Sequence, residues 1–137
     1  MAECLFCKIA KKEISSEVVY EDGISVAFLD INPCATGHTM VIPKIHIDNI
    51  LSLPDSIAGD FMNAIKTISN LLKKALKPDG FTIGINHGRS AGQIIEHLHV
   101  HIIPRWENDG GGSIHSVVTS RPTESLSVIR EKIVNHK

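Results

Sequence analysis

His97-Leu98-His99-Val100-His101-Ile102-Ile103-Pro104 places three imidazoles at alternate positions, with Leu, Val and Ile between them. Successive side chains of a β-strand point to opposite faces, so a strand here projects His97, His99 and His101 from one side. Leu98, Val100 and Ile102 then face the other side, where a core holds the strand rigid. Shuffling eight His through 137 residues gives this spacing only ~0.02 times per chain. Imidazole titrates nearest neutrality, so the row suits nucleophilic, acid–base or metal chemistry. A plain solvent-facing strand fits poorly, because protonated neighbours repel and Val or Thr suits the pleat better.

The chain is long enough for one domain with a real core and no staples, expected over residues 1–137 with a core about 3–105 and a tail about 106–137. Its hydrophobic and charged fractions, 42% and 21%, belong to an ordinary soluble globular protein. A net charge of -1 supplies no basic field, so no nucleic-acid partner is expected. There is no basic n-region followed by an apolar h-region, and no apolar run of spanning length, so no membrane role is expected. Three Cys, an odd number, fit the reducing cytoplasm better than a secreted disulfide framework.

Periodicity orders the elements. A short helix is expected from residue 4 to about 11. Val18–Tyr20 and Ile24–Leu29 read as a hairpin turning at Asp22-Gly23. Thr39–Ile42 reads as a third strand ended by Pro43, which has no N–H for a ladder. Residues 48–51 suit one helical turn. A long helix starts near Leu53-Pro54-Asp55. Its stripe is Ile57, Phe61, Ala64, Ile65, Ile68, Leu71, Leu72 and Leu76, stopped at Pro78-Asp79-Gly80. Phe81–Asn86 alternates as a fourth strand, and the histidine row is the fifth. Residues 108–113 read as flexible, and 123–136 as a terminal helix. Consecutive strands with one main helix predict an antiparallel α+β domain.

Further segments join the histidine row: Cys4-Leu5-Phe6-Cys7-Lys8-Ile9, Ala27 to Pro33, Gly37 to His46, Asn86-His87-Gly88 and Ala91-Gly92-Gln93. Together they resemble the histidine triad family of nucleotide hydrolases and transferases over roughly residues 3–105. The resemblance implies a five-stranded antiparallel sheet with one long helix, continued across a homodimer. It implies an enzyme acting on the α-phosphorus of purine nucleotide conjugates, AMP phosphoramidates first, through a nucleotidyl-histidine. A dinucleoside polyphosphate hydrolase of the same family, or a nucleotide-binding scaffold protein with weak catalysis, are the alternatives.

Residue by residue, His99 is similar to the family's nucleophile. The resemblance implies that it is aimed by a hydrogen bond to the carbonyl of His97, while His101 hydrogen-bonds phosphate oxygens. His46 matches a fourth histidine, Asn86 a phosphate or leaving-group contact, and Gly92-Gln93 a turn whose backbone N–H groups meet the phosphate. Asp30 matches a ribose ligand, and Phe28, Ile31 and Phe6 either line a base slot or are core. Ile94 departs from the pattern, since many relatives carry Ser or Thr there. Cys4 and Cys7 are half a zinc site by spacing, although packed or redox-active thiols fit that spacing too. The resemblance supplies His46 and His97 as the other two ligands of a structural zinc. Trp106 either packs on the core or meets a leaving group. His38, His87, His115 and His136 carry no assigned role.

Overall fold

A computed structural model describes residues 3–137, so residues 1–2 of the expected domain lie outside the described residues. The chain runs α1 (Leu5–Ala10), β1 (Val18–Glu21), β2 (Ser25–Leu29), β3 (Thr39–Pro43), α2 (Asp55–Leu76), β4 (Gly80–Gly84), β5 (Val100–Arg105) and α3 (Leu126–Val134). Single 3₁₀ turns lie at Ile50–Ser52, Arg89–Ala91 and Ile114–Ser116. The strands form one antiparallel sheet in the order β1-β2-β3-β5-β4. This is the expected α+β fold. Among the described residues no helix is long and apolar enough to cross a membrane.

Local chemistry sets the ends of these elements. At the hairpin, Asp22 Oδ1 accepts from the Ile24 and Ser25 amides at 2.8 Å each, which fixes the β1–β2 turn. Cys4 caps α1, its Sγ accepting from the Cys7 amide at 3.4 Å. Pro54 precedes the first residue of α2, and Lys77, at φ 54°, turns the chain out of the helix just ahead of Pro78. Phe61, Ala64, Ile65, Ile68 and Leu72 are the buried seam of α2. Leu71, expected on that seam, is exposed. The i, i+4 row from Ile68 to Leu72 and Leu76 carries the contact, and Leu71 falls on its flank.

The sheet is covered on both faces at its centre. Ala27, Val41, Leu98, Val100 and Ile102 pack with Ile65 and Ile68 of α2. Val26, Phe28, Met40 and Ile42 pack with Phe6 and Ile9 of α1. Gly37 (φ 83°) leads into β3 where any Cβ would collide with Leu76, so only glycine fits.

Two strand boundaries differ from the expectation. The fourth strand stops at Gly84 rather than Asn86. The ladder of β5 begins at Val100, opposite Val41, and not at His97. Pro43 of β3 has no N–H to continue the pairing, and the Leu98 amide donates instead to the Ile47 carbonyl at 2.6 Å. The two-residue alternation persists through the break, so Leu98 still enters the α2 cluster. Residues 108–113, expected to be flexible, fold around the Asp109 carboxylate. It accepts from Arg105 Nε and Nη2 at 2.7 and 3.0 Å and from the Trp106 and Gly111 amides at 3.1 and 2.9 Å. The Arg105 guanidinium holds that carboxyl well below the usual carboxylate range.

Candidate active site

The start of β5 and the three residues before it bring the histidine row to the face covered by α1. The Phe6 ring meets His99 edge-on at 5.0 Å and His97 at 6.0 Å, and the His99 and His101 rings lie 5.2 Å apart. His99 Nδ1 donates to the His97 carbonyl at 2.7 Å. A neutral imidazole has one N–H, so this bond leaves the Nε2 lone pair of His99 unprotonated.

The His97 ring serves a second purpose. Its Nε2 donates to the Pro43 carbonyl at 2.8 Å, so its Nδ1 lone pair faces Cys4 Sγ at 3.3 Å and Cys7 Sγ at 3.6 Å. His46 repeats the arrangement: Nε2 donates to Asp48 Oδ1 at 2.7 Å, and Nδ1 lies 3.3 Å from Cys7 Sγ. The four donor atoms fall within 4.8 Å of one another. Tetrahedral zinc sets sulfur and nitrogen ligands roughly 3.6 Å apart, so the spacing fits. Both far nitrogens are engaged by acceptors, as imidazole ligands require.

Of the residues expected to line a base slot, Phe6 and Phe28 stack edge to face at 5.4 Å inside the α1 cluster. They are core residues. Ile31 is the exposed apolar side chain of the three, with 87% of its surface open. Asp30 is half-buried, and its Oδ1 accepts from the Asn32 amide at 2.8 Å while Oδ2 lies 3.5 Å from His38 Nε2.

The turn before the row corrects one expectation. Gly92, at φ 99°, closes the Arg89–Ala91 turn. Its amide donates to the Arg89 carbonyl, and the Gln93 amide donates to Gly88, both at 3.0 Å. Neither N–H is open to an anion. The buried Gln93 side chain accepts from the Gly88 amide at 2.9 Å and donates to the Asp48 carbonyl at 2.8 Å, so it is a strut between two loops. Among the described residues the Ile94 amide has no internal acceptor, and the Ile94 side chain is 92% exposed. Asn86 is exposed, with its side-chain amide beside Gly92. Trp106 is half-buried.

Burial pushes the His38, His97 and His101 imidazoles below the usual histidine range, and neighbouring His99 and His38 add to the effect on His101. All three are neutral near pH 7. This removes the repulsion that a charged row would suffer. A depressed folded-state pKa means the unfolded chain binds more protons, so this stability is present above about pH 6.5 and lost as the pH falls through the lower folded values. The melting temperature should therefore fall between pH 7 and pH 5, and less steeply in His38→Gln. A flat profile in the wild type contradicts this.

His38, given no role from the sequence, and Asp48, which carried no site signal there, both reach the site through bonds to His101 and His46. His38, Met40 and Ile42 share parity along β3. Only the β3–β5 register, Met40 opposite His101, brings His38 to the site.

The site is thus a histidine row on an antiparallel sheet with a tautomer-fixed central imidazole. Residues 11–108 match the HIT domain, and the chain belongs to the HIT domain family. An uncharacterized HIT-like protein of Methanocaldococcus jannaschii is 50% identical over 107 residues, 78% of this chain and 82% of that one. An adenosine 5'-monophosphoramidase of Saccharomyces cerevisiae is 41% identical over 110 residues, 80% of this chain and 67% of the yeast protein. A crystal structure of a HIT family member from Bacillus subtilis superposes with a TM-score of 0.86 at 36% identity, covering 99% of this chain and 98% of that one.

Proposed function

We propose that this protein is a nucleotide hydrolase that cleaves at the α-phosphorus of AMP conjugates, phosphoramidates first. The observation that carries the reading is the 2.7 Å bond from His99 Nδ1 to the His97 carbonyl, which presents the Nε2 lone pair as a nucleophile. Nε2 attacks phosphorus, the bond to the leaving group breaks, and that group departs with the electron pair and gains a proton. Water then attacks the nucleotidyl-His99, the phosphorus–nitrogen bond breaks, and AMP and free His99 result. His101 and the Ile94 amide supply donors for the charge on the phosphoryl oxygens. The similarity to the yeast adenosine 5'-monophosphoramidase supports the substrate class. Turnover of an AMP-amidate against a diadenosine polyphosphate by the purified protein tests it. Preference for the dinucleotide would move the protein to the polyphosphate hydrolases.

Asp30 is the proposed ribose ligand, its carboxylate accepting from the vicinal hydroxyls, with Ile31 covering the base. Asp30→Ala should weaken AMP binding by about 1.5–3 kcal/mol, the range for a charged hydrogen bond. A 2′,3′-dideoxy analogue should lose much less, as titration calorimetry will reveal. Equal losses for both ligands would place the effect of Asp30 in the fold.

Cys4, Cys7, His46 and His97 are proposed to hold one structural zinc, which would close the site as a tetrahedral staple without touching phosphorus. Three free thiols, Cys4, Cys7 and Cys34, favour a reducing cytoplasmic setting. Strand β4 ends the sheet with Ile83 exposed, an edge suited to a second copy in the expected homodimer. The exposed Ile94, in place of a hydroxyl, favours a second reading: a nucleotide-binding protein with weak catalysis. AMP binding without turnover would establish it.

A further inference from the structure

We propose that the Gln93 side chain is a positioning residue for the hydrolysis proposed above: it presets the Ile94 N–H as a donor to the phosphoryl oxygens. The segment from Gln93 to Leu98 leads into the histidine row, and both its ends are pinned to residues 47–48, beyond the end of β3. At the far end the Leu98 amide donates to the Ile47 carbonyl at 2.6 Å. At the near end Gln93 Nε2 donates to the Asp48 carbonyl at 2.8 Å. Asp48 is itself fixed, since its carboxylate accepts from His46 Nε2 at 2.7 Å. The span between the two pins is an arch. Among the described residues the Ile94, Ile95 and Glu96 amides have no internal acceptor, whereas the turn before them has already bonded its own.

Gln93 holds the residues on both sides of Ile94. Its backbone N–H donates to the Gly88 carbonyl at 3.0 Å and its Oε1 accepts from the Gly88 amide at 2.9 Å, which closes the turn behind the arch. Nε2 carries two protons, and the second reaches the Ile95 carbonyl at 3.2 Å. At 7% exposure the side chain has no water to replace these partners, so a loop that broke them would leave a buried amide unpaired. The arch also stands beside the nucleophile. Ile95 packs against the α1 cluster that contains Phe6, and the Phe6 ring meets His99 edge-on at 5.0 Å.

The turn has no stiffness of its own. It runs between Gly88 at φ 83° and Gly92 at φ 99°, two residues that lose the most freedom on ordering. The order therefore comes from the Gln93 amide. A donor already in place costs no reorganisation when charge develops on phosphorus, whereas a donor on a loose loop must first be found. Two substitutions separate shape from bonding. Gln93→Glu keeps the shape and still accepts from Gly88, but it turns an oxygen toward the Asp48 and Ile95 carbonyls. Gln93→Met fills a similar volume and makes none of the three side-chain bonds.

The test begins without ligand, with the ¹⁵N order parameter of the Ile94 amide in the full-length protein. It should be about 0.85 in the wild type and below about 0.6 in Gln93→Met and Gln93→Glu. The second arm compares AMP with adenosine and rests on the proposed hydrolase reading. AMP should shift the Ile94 amide resonance of the wild type, and adenosine should not. In both variants AMP should bind about tenfold more weakly, the loss for one hydrogen bond to an anion, with adenosine within about twofold. Turnover of an AMP-amidate should fall about 100-fold in kcat, the effect of one misplaced oxyanion donor. A purely structural Gln93 would weaken both ligands alike. A shift at Ile31 with none at Ile94 overturns this proposal alone, and a shift at neither removes the hydrolase reading with it. An Ile94 amide that stays rigid in the variants, or equal losses for AMP and adenosine, also overturns it. The wild-type measurements decide the matter even where a variant fails to fold.

Discussion

His99→Ala should lower turnover of an AMP-amidate on the order of 10⁴-fold while AMP binding changes little, because only the attacking atom is lost. In the proposed reading binding rests elsewhere, on Asp30, Ile31 and the donors around the phosphate. Rapid quench of the wild-type reaction followed by mass spectrometry should find a nucleotidyl group on His99. The adduct should form and decay within a turnover, since water regenerates the imidazole. His101→Ala should keep partial activity, because it removes a donor and not the nucleophile. Wild-type turnover in His99→Ala would remove the nucleophile and the enzyme class together. Turnover loss without any adduct would leave His99 as a base.

The second large effect is expected at the cysteines. Protein purified without chelators should contain about one zinc per chain, and Cys4→Ser should contain far less. The substitution isolates the metal, because a Ser oxygen still caps α1 where Cys4 Sγ now accepts from the Cys7 amide. The melting temperature should fall by roughly 10 °C, what a loss of about 3 kcal/mol produces in a domain of this size. Activity should follow in part, since the His97 ring belongs to the cluster while its carbonyl holds His99. Sub-stoichiometric metal in the wild type, with an unchanged melting temperature in Cys4→Ser, would leave two ordinary thiols beside His97.

Periodicity carried most of the fold. The Asp22-Gly23 turn, the α2 seam and the alternation at 97–102 are local patterns, set by residue spacing within one element. They placed every strand and the main helix before any contact was known. The errors fell where a partner outside the element itself decides. The start of β5 depends on Pro43, more than fifty residues away, whose missing N–H ends the ladder. The loop at 108–113 looked flexible because its order comes from Arg105 gripping Asp109.

The same division runs through the site. Spacing alone put His97, His99 and His101 on one face and made Cys4 and Cys7 a pair. Family resemblance then joined His46 and His97 to that pair. Only the tertiary structure gave each imidazole its proton. Pro43, Asp48 and Cys34 hold His97, His46 and His38 in fixed tautomers, and these acceptors and donors are ordinary backbone or loop groups with no sequence signature. Gly92 and Gln93 read as phosphate donors because their turn composition is right, but the closed turn had already used their N–H groups. Sequence determines which side chains share a face, since that follows from two-residue geometry. Which nitrogen carries a proton follows from three-dimensional neighbours, and the fold alone supplies them.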